Sequence, residues 1–137
     1  GHVGRFLNGV VNHNSGAECI EWASSAGDGN AATYGGVGVD PTFNSVLFDC
    51  NGANLAETNT QAAIDSVAAD GNNNAAFSES LINTFINGPS ESAAVEFTPL
   101  SGIDAFFDDT DYVGAVADTN DRWWAEWSCG LEAATPC

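Results

Sequence analysis

The chain of 137 residues contains no lysine, and only two arginines, Arg5 and Arg122, stand against 19 acidic residues. The formal net charge is −17 at pH 7, so electrostatic repulsion opposes contact with any polyanion. Nucleic acid and anionic lipid are therefore poor candidate partners. Such an acidic surface is typical of proteins kept soluble in salty water, where ions screen the self-repulsion.

Methionine and long apolar runs are also absent. The chain begins with Gly1 rather than methionine, from which we expect a processed form or a fragment of a longer protein. No apolar run approaches the roughly 18 residues that a membrane-spanning helix needs, so we expect no membrane insertion. The length, with 44% hydrophobic residues, predicts a single domain over residues 1–137 that can bury a core.

The four cysteines allow three disulfide pairings, and their spacing matches no compact zinc motif. They are Cys19, Cys50, Cys129 and Cys137. We favour a pair between Cys19 and Cys50, which would tie neighbouring β segments, and a pair between Cys129 and Cys137 at the chain end. Disulfides persist in oxidising compartments, so we expect an extracytoplasmic location: secreted, cell-surface or periplasmic.

The apolar pattern predicts a mainly β fold. Residues 5–12, 19–23 and 42–50 read as strands within a β-rich part over residues 1–52. An alanine-rich run at residues 60–69 predicts one short helix, in a helix-containing insertion over residues 58–88. Two later segments are less definite, because residues 80–87 fit either a helix or a strand and residues 94–97 fit a short strand.

A faint repeat suggests how the strands are arranged. Asn8, Asn44 and Asn83 each lie among apolar residues, 36 and 39 positions apart. Stacked β coils give this pattern when an inward asparagine continues a hydrogen-bonded ladder. One interpretation is therefore solenoid-like coils of the right-handed β-helix kind, and the other is three unrelated strands.

Aromatic and acidic residues concentrate in a segment that we interpret as a C-terminal cap, residues 93–137. Trp123, Trp124 and Trp127 lie within five positions, and this aromatic area is best explained as a plug over an exposed core end. Upstream lie Phe106-Phe107 and the sequence Tyr-Val-Gly-Ala-Val at residues 112–116.

At these residues the chain resembles the C-terminal part of secreted bacterial surface proteins and lipoproteins with β-helix-like bodies. The sequence Ala-Thr-Tyr-Gly-Gly-Val-Gly at residues 32–38 resembles turns of the same bodies. The resemblance implies a secreted architecture of the β-solenoid type and a surface role. It assigns no catalytic residue.

Short acidic and amide side chains in the cap form a candidate calcium site, because calcium takes six to eight oxygen ligands. The candidate ligands are Asp108, Asp109, Asp111, Asp118, Asn120 and Asp121. A turn at residues 27–30 (Gly-Asp-Gly-Asn) is a further candidate. None of these segments matches an EF-hand loop, and the same residue types favour turns without any metal.

The tryptophans form a second candidate site, because indole faces stack on sugar rings. Its members are Trp22, Trp123, Trp124 and Trp127. Glu18, Glu21 and Glu126 lie close to tryptophans in the sequence and are candidate carboxylates for glycoside hydrolysis. With 19 acidic residues such proximity arises by chance, so we favour a protein that is not an enzyme.

The main functional hypothesis is a non-catalytic extracellular structural or interaction protein. It would self-associate or join a larger cell-surface or filamentous assembly, with salt, calcium or a basic partner to offset the repulsion between acidic surfaces. Two alternatives are a carbohydrate-binding or carbohydrate-cleaving domain that takes a glycan, and an accessory subunit on the outer face of a membrane complex.

Overall fold

A computed structural model describes residues 4–13, 19–20, 42–50, 71–94, 97–125 and 128. Its strands are β1 (Arg5–Leu7), β2 (Val10–Asn12), β3 (Thr42–Asn44) and β4 (Leu47–Asp49). The helix α1 (Pro89–Ser92) forms a single turn. The described part is therefore mainly strands with little helix, as expected for the fold class. The helix predicted at residues 60–69 lies outside the described residues.

The strands pair in parallel with one common register. β1 pairs with β3, where Arg5 lies opposite Thr42, and β2 pairs with β4, where Val10 lies opposite Leu47. Both pairs share a shift of 37 residues, so two whole passages of the chain, residues 5–12 and 42–49, run side by side. A parallel bridge between Leu47 and Asn74 places a third passage, residues 71–77, beside the second.

A residue with positive φ bends each passage. Asn8 (φ 50°) separates β1 from β2, Ser45 (φ 55°) separates β3 from β4, and Asn72 (φ 66°) precedes the bridge at Asn74. Asparagine reaches this conformation more readily than most residues. The predictions of unbroken strands over residues 5–12 and 42–50 are therefore wrong at their centres, because a left-handed residue turns the chain between two short strands.

The observed pairing does not place the asparagines of the predicted repeat opposite one another. Leu7 lies opposite Asn44, whereas Phe6 lies opposite Phe43 with their rings stacked 5.0 Å apart. Asn83 belongs to a separate turn, and residues 71–77 form the third passage. Aromatic and aliphatic cross-strand pairs thus set the register, since a slip by one residue would move every side chain to the other face.

The side-by-side passages form a row that we call the stack. Two more segments extend this row on the side of β1 and β2. The Gly114 N–H donates to the Asn8 carbonyl oxygen at 2.8 Å, and the Asn87 N–H donates to the Val116 carbonyl oxygen at 2.9 Å. Ile86 and Val116 form a parallel bridge. The order in space is therefore residues 82–87, 113–116, 5–12, 42–49 and 71–77.

Residues 77–81 connect the two ends of this stack by crossing the ends of β4 and β2. The Phe77 N–H donates to the Phe48 carbonyl oxygen at 3.2 Å, and the Glu79 N–H donates to Asp49 Oδ2 at 2.8 Å. The Asn12 side chain donates from Nδ2 to Glu79 Oε1 at 2.7 Å. These contacts hold the crossing segment against both passages.

Two clusters of buried apolar side chains form the core. The first contains Phe43, Val46, Phe48 and Cys50, with Val11, Cys19 and Ile20 packed against it. A disulfide joins Cys19 to Cys50 across a Cα–Cα distance of 5.4 Å, which confirms that predicted pair. Cys129 and Cys137 lie outside the described residues.

The second cluster contains Ile86, Val116 and Trp124, with Phe85 partly buried against it. It lies where residues 82–87 meet residues 113–116, and Trp124 packs against both segments. In the described part of the chain, no helix has the length and apolar character to cross a membrane.

Candidate functional site

The predicted calcium ligands bind local loop atoms. Asp109 accepts hydrogen bonds from the Ser101 N–H at 2.7 Å and the Ser101 hydroxyl at 2.6 Å, and these bonds hold its pKa below the ordinary value. Asp118 Oδ1 accepts from the N–H groups of Asn120 and Asp121, at 2.6 and 3.1 Å. These carboxylates therefore close turns of their own segment.

The remaining predicted ligands differ in their surroundings. Asp108 and Asp111 are exposed. Asp121 Oδ2 accepts from the Tyr112 hydroxyl at 3.2 Å and the Ala117 N–H at 3.0 Å. Burial of Tyr112, together with the charge of Asp121, raises the pKa of this phenol. Among the described residues no group of three or more His, Cys, Asp or Glu side chains could hold a metal ion, so calcium stays a prediction.

The two described tryptophans have different environments. Trp124 is 5% exposed and packs edge-on against Phe85 at a centroid distance of 5.6 Å. Trp123 is 60% exposed, and its ring stands at 85° to that of Trp124. This pair therefore presents no coplanar surface to a sugar chain. Trp22 and Trp127 lie outside the described residues.

An apolar cavity of about 470 Å³ opens beside Trp123. We call it the aromatic cavity, and its lining is Thr84, Phe85, Ala115, Val116, Trp123, Trp124 and Ser128. Trp123 donates from Nε1 to the Ala115 carbonyl oxygen at 2.9 Å, which fixes the indole at the rim. The Ser128 hydroxyl donates to the Trp124 carbonyl oxygen at 3.3 Å. The wall is thus mostly hydrocarbon. The Ser128 hydroxyl, one of its few polar groups, already donates a hydrogen bond.

A tight turn supplies one side of this cavity. Ile82 and Ile86 exchange two backbone hydrogen bonds of 2.8 and 3.0 Å, and the Phe85 N–H also donates to the Ile82 carbonyl oxygen at 3.4 Å. Asn83 and Thr84, with φ values of 53° and 70°, are therefore the central residues of the turn at residues 82–85. Positive φ at both central positions is typical of type I′ turns. A second cavity of about 340 Å³ reaches Asn8 and Gly114 and shares Thr84, Phe85 and Ala115 with the first. The β-branched Thr84, which rarely adopts positive φ, lines both cavities.

A buried carboxylate organises the chain next to this turn. Glu91 is 1% exposed and accepts hydrogen bonds from the Ser80 N–H (2.8 Å), the Ser80 hydroxyl (2.7 Å) and the Gly88 N–H (3.0 Å). Burial by itself would raise the pKa of Glu91, but these hydrogen bonds outweigh it and lower the pKa. A Cβ at Gly88 would lie 2.0 Å from the Ser80 carbonyl oxygen, so only glycine allows this close approach.

Sequence reasoning missed an exposed apolar loop within the segment that we interpreted as the C-terminal cap. We call residues 101–109 the Phe loop. Phe106 is 86% exposed and Phe107 is 46% exposed, with their rings edge-to-face at 5.5 Å. The Ser101–Asp109 hydrogen bonds close the base of this loop. The signal in the sequence was two phenylalanines flanked by Asp104 and Asp108, a pattern of an apolar tip among charges.

Comparisons of this chain with protein-family models, with curated proteins and with solved structures find no match.

Proposed function

We infer that this chain is a non-catalytic structural or interaction unit of an extracellular assembly, built on solenoid-like β coils that associate with further copies. The common shift of 37 residues in both parallel strand pairs carries this proposal. Side-by-side passages with one register are what a coiled β body produces, and each passage buries its apolar face against its neighbours.

The ends of such a stack favour association. Gly71, Asn72, Asn74, Ala75 and Ala76 of the third passage are all exposed. A passage that pairs on one side and faces solvent on the other offers a surface on which another chain can pack. The disulfide between Cys19 and Cys50 supports an oxidising, extracytoplasmic setting for this unit.

Charge sets the conditions for association. A net charge of −17 makes two copies repel each other, and in about 1 M salt the screening length falls to about 3 Å. We therefore expect association in concentrated salt and little of it in dilute buffer. Calcium would act in the same direction if the predicted acidic site binds it.

Sedimentation velocity over a wide range of protein concentration tests the proposal. The runs compare dilute buffer, about 1 M salt, added calcium and added chelator. The expected result is a species that grows with concentration in salt. A chain that sediments as a monomer in every condition would overturn the proposed self-association, and a chelator that dissociates the assembly would support the calcium site.

A further inference from the structure

We propose that the crossing segment, residues 77–81, is a strap that acid releases from the ends of β2 and β4. The inference concerns a single copy of the chain, so it goes beyond the proposed function and does not depend on association. It rests on the kind of group that holds the crossing segment in place.

Three successive backbone N–H groups of the crossing segment donate to carboxylates. The Glu79 N–H donates to Asp49 Oδ2 at 2.8 Å, the Ser80 N–H to Glu91 Oε1 at 2.8 Å, and the Leu81 N–H to Glu79 Oε2 at 2.6 Å. A strand that pairs with a neighbouring strand would instead donate to backbone carbonyl oxygens. This part of the chain is therefore held by acceptors that can take up a proton.

Side-chain hydrogen bonds add to the same links. The Ser80 hydroxyl donates to Glu91 Oε2 at 2.7 Å, and Asn12 Nδ2 donates to Glu79 Oε1 at 2.7 Å. Asn12 is the last residue of β2 and Asp49 is the last residue of β4, so the carboxylates tie the crossing segment to both strands. A hydrogen bond to an ionised carboxylate is roughly twice as strong as one between neutral groups, and protonation removes this advantage.

Backbone groups, which do not titrate, join the neighbouring passages of the stack. The Leu47 N–H donates to the Gly9 carbonyl oxygen at 2.9 Å, and the Asn74 N–H donates to the Val46 carbonyl oxygen at 2.9 Å. Protonation of carboxylates leaves these bonds unchanged. It also lowers the repulsion within a chain whose net charge is −17 at pH 7. Acid should therefore weaken the hold on the crossing segment while the stack stays paired.

Few ionisable groups surround the crossing segment. Besides Glu79 itself, the described residues packed against it provide Asp49 on β4, Glu91 on α1, and His13, whose N–H donates to the Asp49 carbonyl oxygen at 2.9 Å. Residues 71–76 and 82–87 contain none. Burial opposes the ionisation of Glu91, but its hydrogen bonds lower its pKa. Its contribution is therefore present above the unfolded value of about 4.3 and is lost as the pH falls through the lower folded value.

The crossing segment covers part of the interior. Leu81 lines the cavity of about 340 Å³ together with Asn8 and Val10. The Phe77 N–H donates to the carbonyl oxygen of the buried Phe48 at 3.2 Å. Release therefore removes one wall of this cavity and exposes the ends of β2 and β4. The chain thus has a closed form at neutral pH and an open form in acid.

Nuclear magnetic resonance of the isotope-labelled wild-type chain tests the proposal. The amide proton shifts and the hydrogen-exchange protection factors of Glu79, Ser80 and Leu81 are followed from about pH 7 to about pH 3. The amides of Leu47 and Asn74 serve as references, because backbone oxygens accept their hydrogen bonds. We expect protection of the first three amides to fall by roughly 30-fold or more, and that of the references by less than about 3-fold.

Two variants assign the effect to the carboxylates. Asp49→Asn and Glu79→Gln each keep an oxygen that accepts a hydrogen bond but does not titrate in this range. The loss of protection in acid should therefore shrink at the Glu79 amide in the first variant and at the Leu81 amide in the second. His13→Asn removes the neighbouring basic group, and Asp108→Asn removes one exposed charge. Both of these controls should respond to acid like the wild-type chain.

Three other results would each overturn the inference. Amide protons of residues 79–81 that shift with pH but stay protected would mean that the carboxylates titrate without releasing the segment. Loss of protection at the same pH for these amides and for the references would mean that acid unfolds the whole fold. A response that disappears in His13→Asn but persists in Asp49→Asn and Glu79→Gln would make the histidine the trigger. None of these results bears on self-association, which sedimentation tests separately.

Discussion

The side chain of Asn8 forms a reciprocal pair of hydrogen bonds with the backbone of Thr98, 90 positions later in the chain. Asn8 Nδ2 donates to the Thr98 carbonyl oxygen at 2.8 Å, and the Thr98 N–H donates to Asn8 Oδ1 at 2.7 Å. The Asn8 carbonyl oxygen also accepts from the Gly114 N–H. One residue at the bend of the first passage therefore links it to two distant segments.

Two replacements of Asn8 separate the contribution of its hydrogen bonds to Thr98 from the cost of its backbone conformation. Asn8→Gly keeps the positive φ but leaves both Thr98 backbone groups without their partner, for which we expect a loss of about 2–3 kcal/mol in the free energy of unfolding. Asn8→Ala should cost about 1 kcal/mol more, because alanine resists the left-handed conformation. Urea unfolding followed by circular dichroism gives both values.

Asn72→Ala is the matched control. Asn72 also has positive φ, at 66°, but is exposed, so its replacement should cost only the backbone part, about 1 kcal/mol. Equal losses for Asn8→Ala and Asn72→Ala would contradict a structural role for the pair between Asn8 and Thr98.

Gly114 is required by its conformation and by its neighbour. Its φ is 104°, and a Cβ there would lie 2.3 Å from Asn87 Oδ1. Asn87 is buried, and its Nδ2 donates to the Val113 carbonyl oxygen at 2.6 Å. The side chain is thus held in place and cannot move aside without losing this bond.

We therefore expect Gly114→Ala to lower the free energy of unfolding by about 2–4 kcal/mol. Gly71→Ala is the control, because nothing lies within 4 Å of its added Cβ, and it should change stability by less than about 0.5 kcal/mol. Thermal melting of the two variants side by side makes the comparison. Equal melting temperatures would mean that the approach of Asn87 to Gly114 is not tight in solution.

Part of this architecture was predictable from the sequence. Apolar alternation, which is a local pattern, predicted the mainly β class. The Cys19–Cys50 pair, which spans 31 positions, followed from the expectation that a disulfide ties neighbouring β segments. The bend at Asn8 was missed although Asn8-Gly9 is an Asn-Gly pair, which is a clear turn signal. The bend at Ser45 was missed because a left-handed serine between apolar residues carries no comparable signal. Ser45 takes this conformation where its hydroxyl lies 3.0 Å from the Thr98 hydroxyl oxygen, a contact over 53 positions.

The candidate site was less predictable for a similar reason. The cluster of tryptophans is obvious in the sequence, but its division into a buried Trp124 and an exposed Trp123 depends on Phe85 and Val116, which come from elsewhere in the chain. Three of the predicted calcium ligands, Asp109, Asp118 and Asp121, accept hydrogen bonds from nearby segments of the chain. Aspartate is favoured by turns and by cations alike, so composition alone could not separate the two roles.

Glu91 should make the stability of the fold depend on pH. Its pKa is lowered in the folded chain, whereas in the unfolded chain it is about 4.3. The carboxylate therefore stabilises the fold fully above the unfolded pKa, and this contribution is lost as the pH falls through the lower folded value.

Glu91→Gln removes this contribution. At neutral pH we expect it to lower the free energy of unfolding by about 2–4 kcal/mol, because an amide cannot accept all three hydrogen bonds. The difference from the wild-type chain should shrink below about pH 4. Urea titrations across the pH range measure it, with Asp108→Asn as a control for the loss of one exposed charge. If the difference in the free energy of unfolding between Glu91→Gln and the wild-type chain stays constant down to acid pH, then the loss comes from altered packing and not from the missing charge.

The two neighbouring tryptophans should respond differently to replacement. Trp124 is buried among Ile86, Val116 and Phe85, so Trp124→Ala should cost about 3–5 kcal/mol through the cavity that it leaves. Trp123 is 60% exposed, and Trp123→Ala should cost about 1 kcal/mol, mainly from its hydrogen bond to Ala115. Chemical unfolding of both variants measures this contrast.

The same pair of variants also separates the structural reading from the carbohydrate alternative. If soluble oligosaccharides quench tryptophan fluorescence in the wild-type chain and fail to do so in Trp123→Ala, then the exposed indole binds sugar and the glycan hypothesis gains its first support. If sugars leave the fluorescence unchanged, the exposed indole does not bind them and the glycan hypothesis loses its support. Because a perpendicular pair of rings cannot stack on one sugar face, we expect the second result.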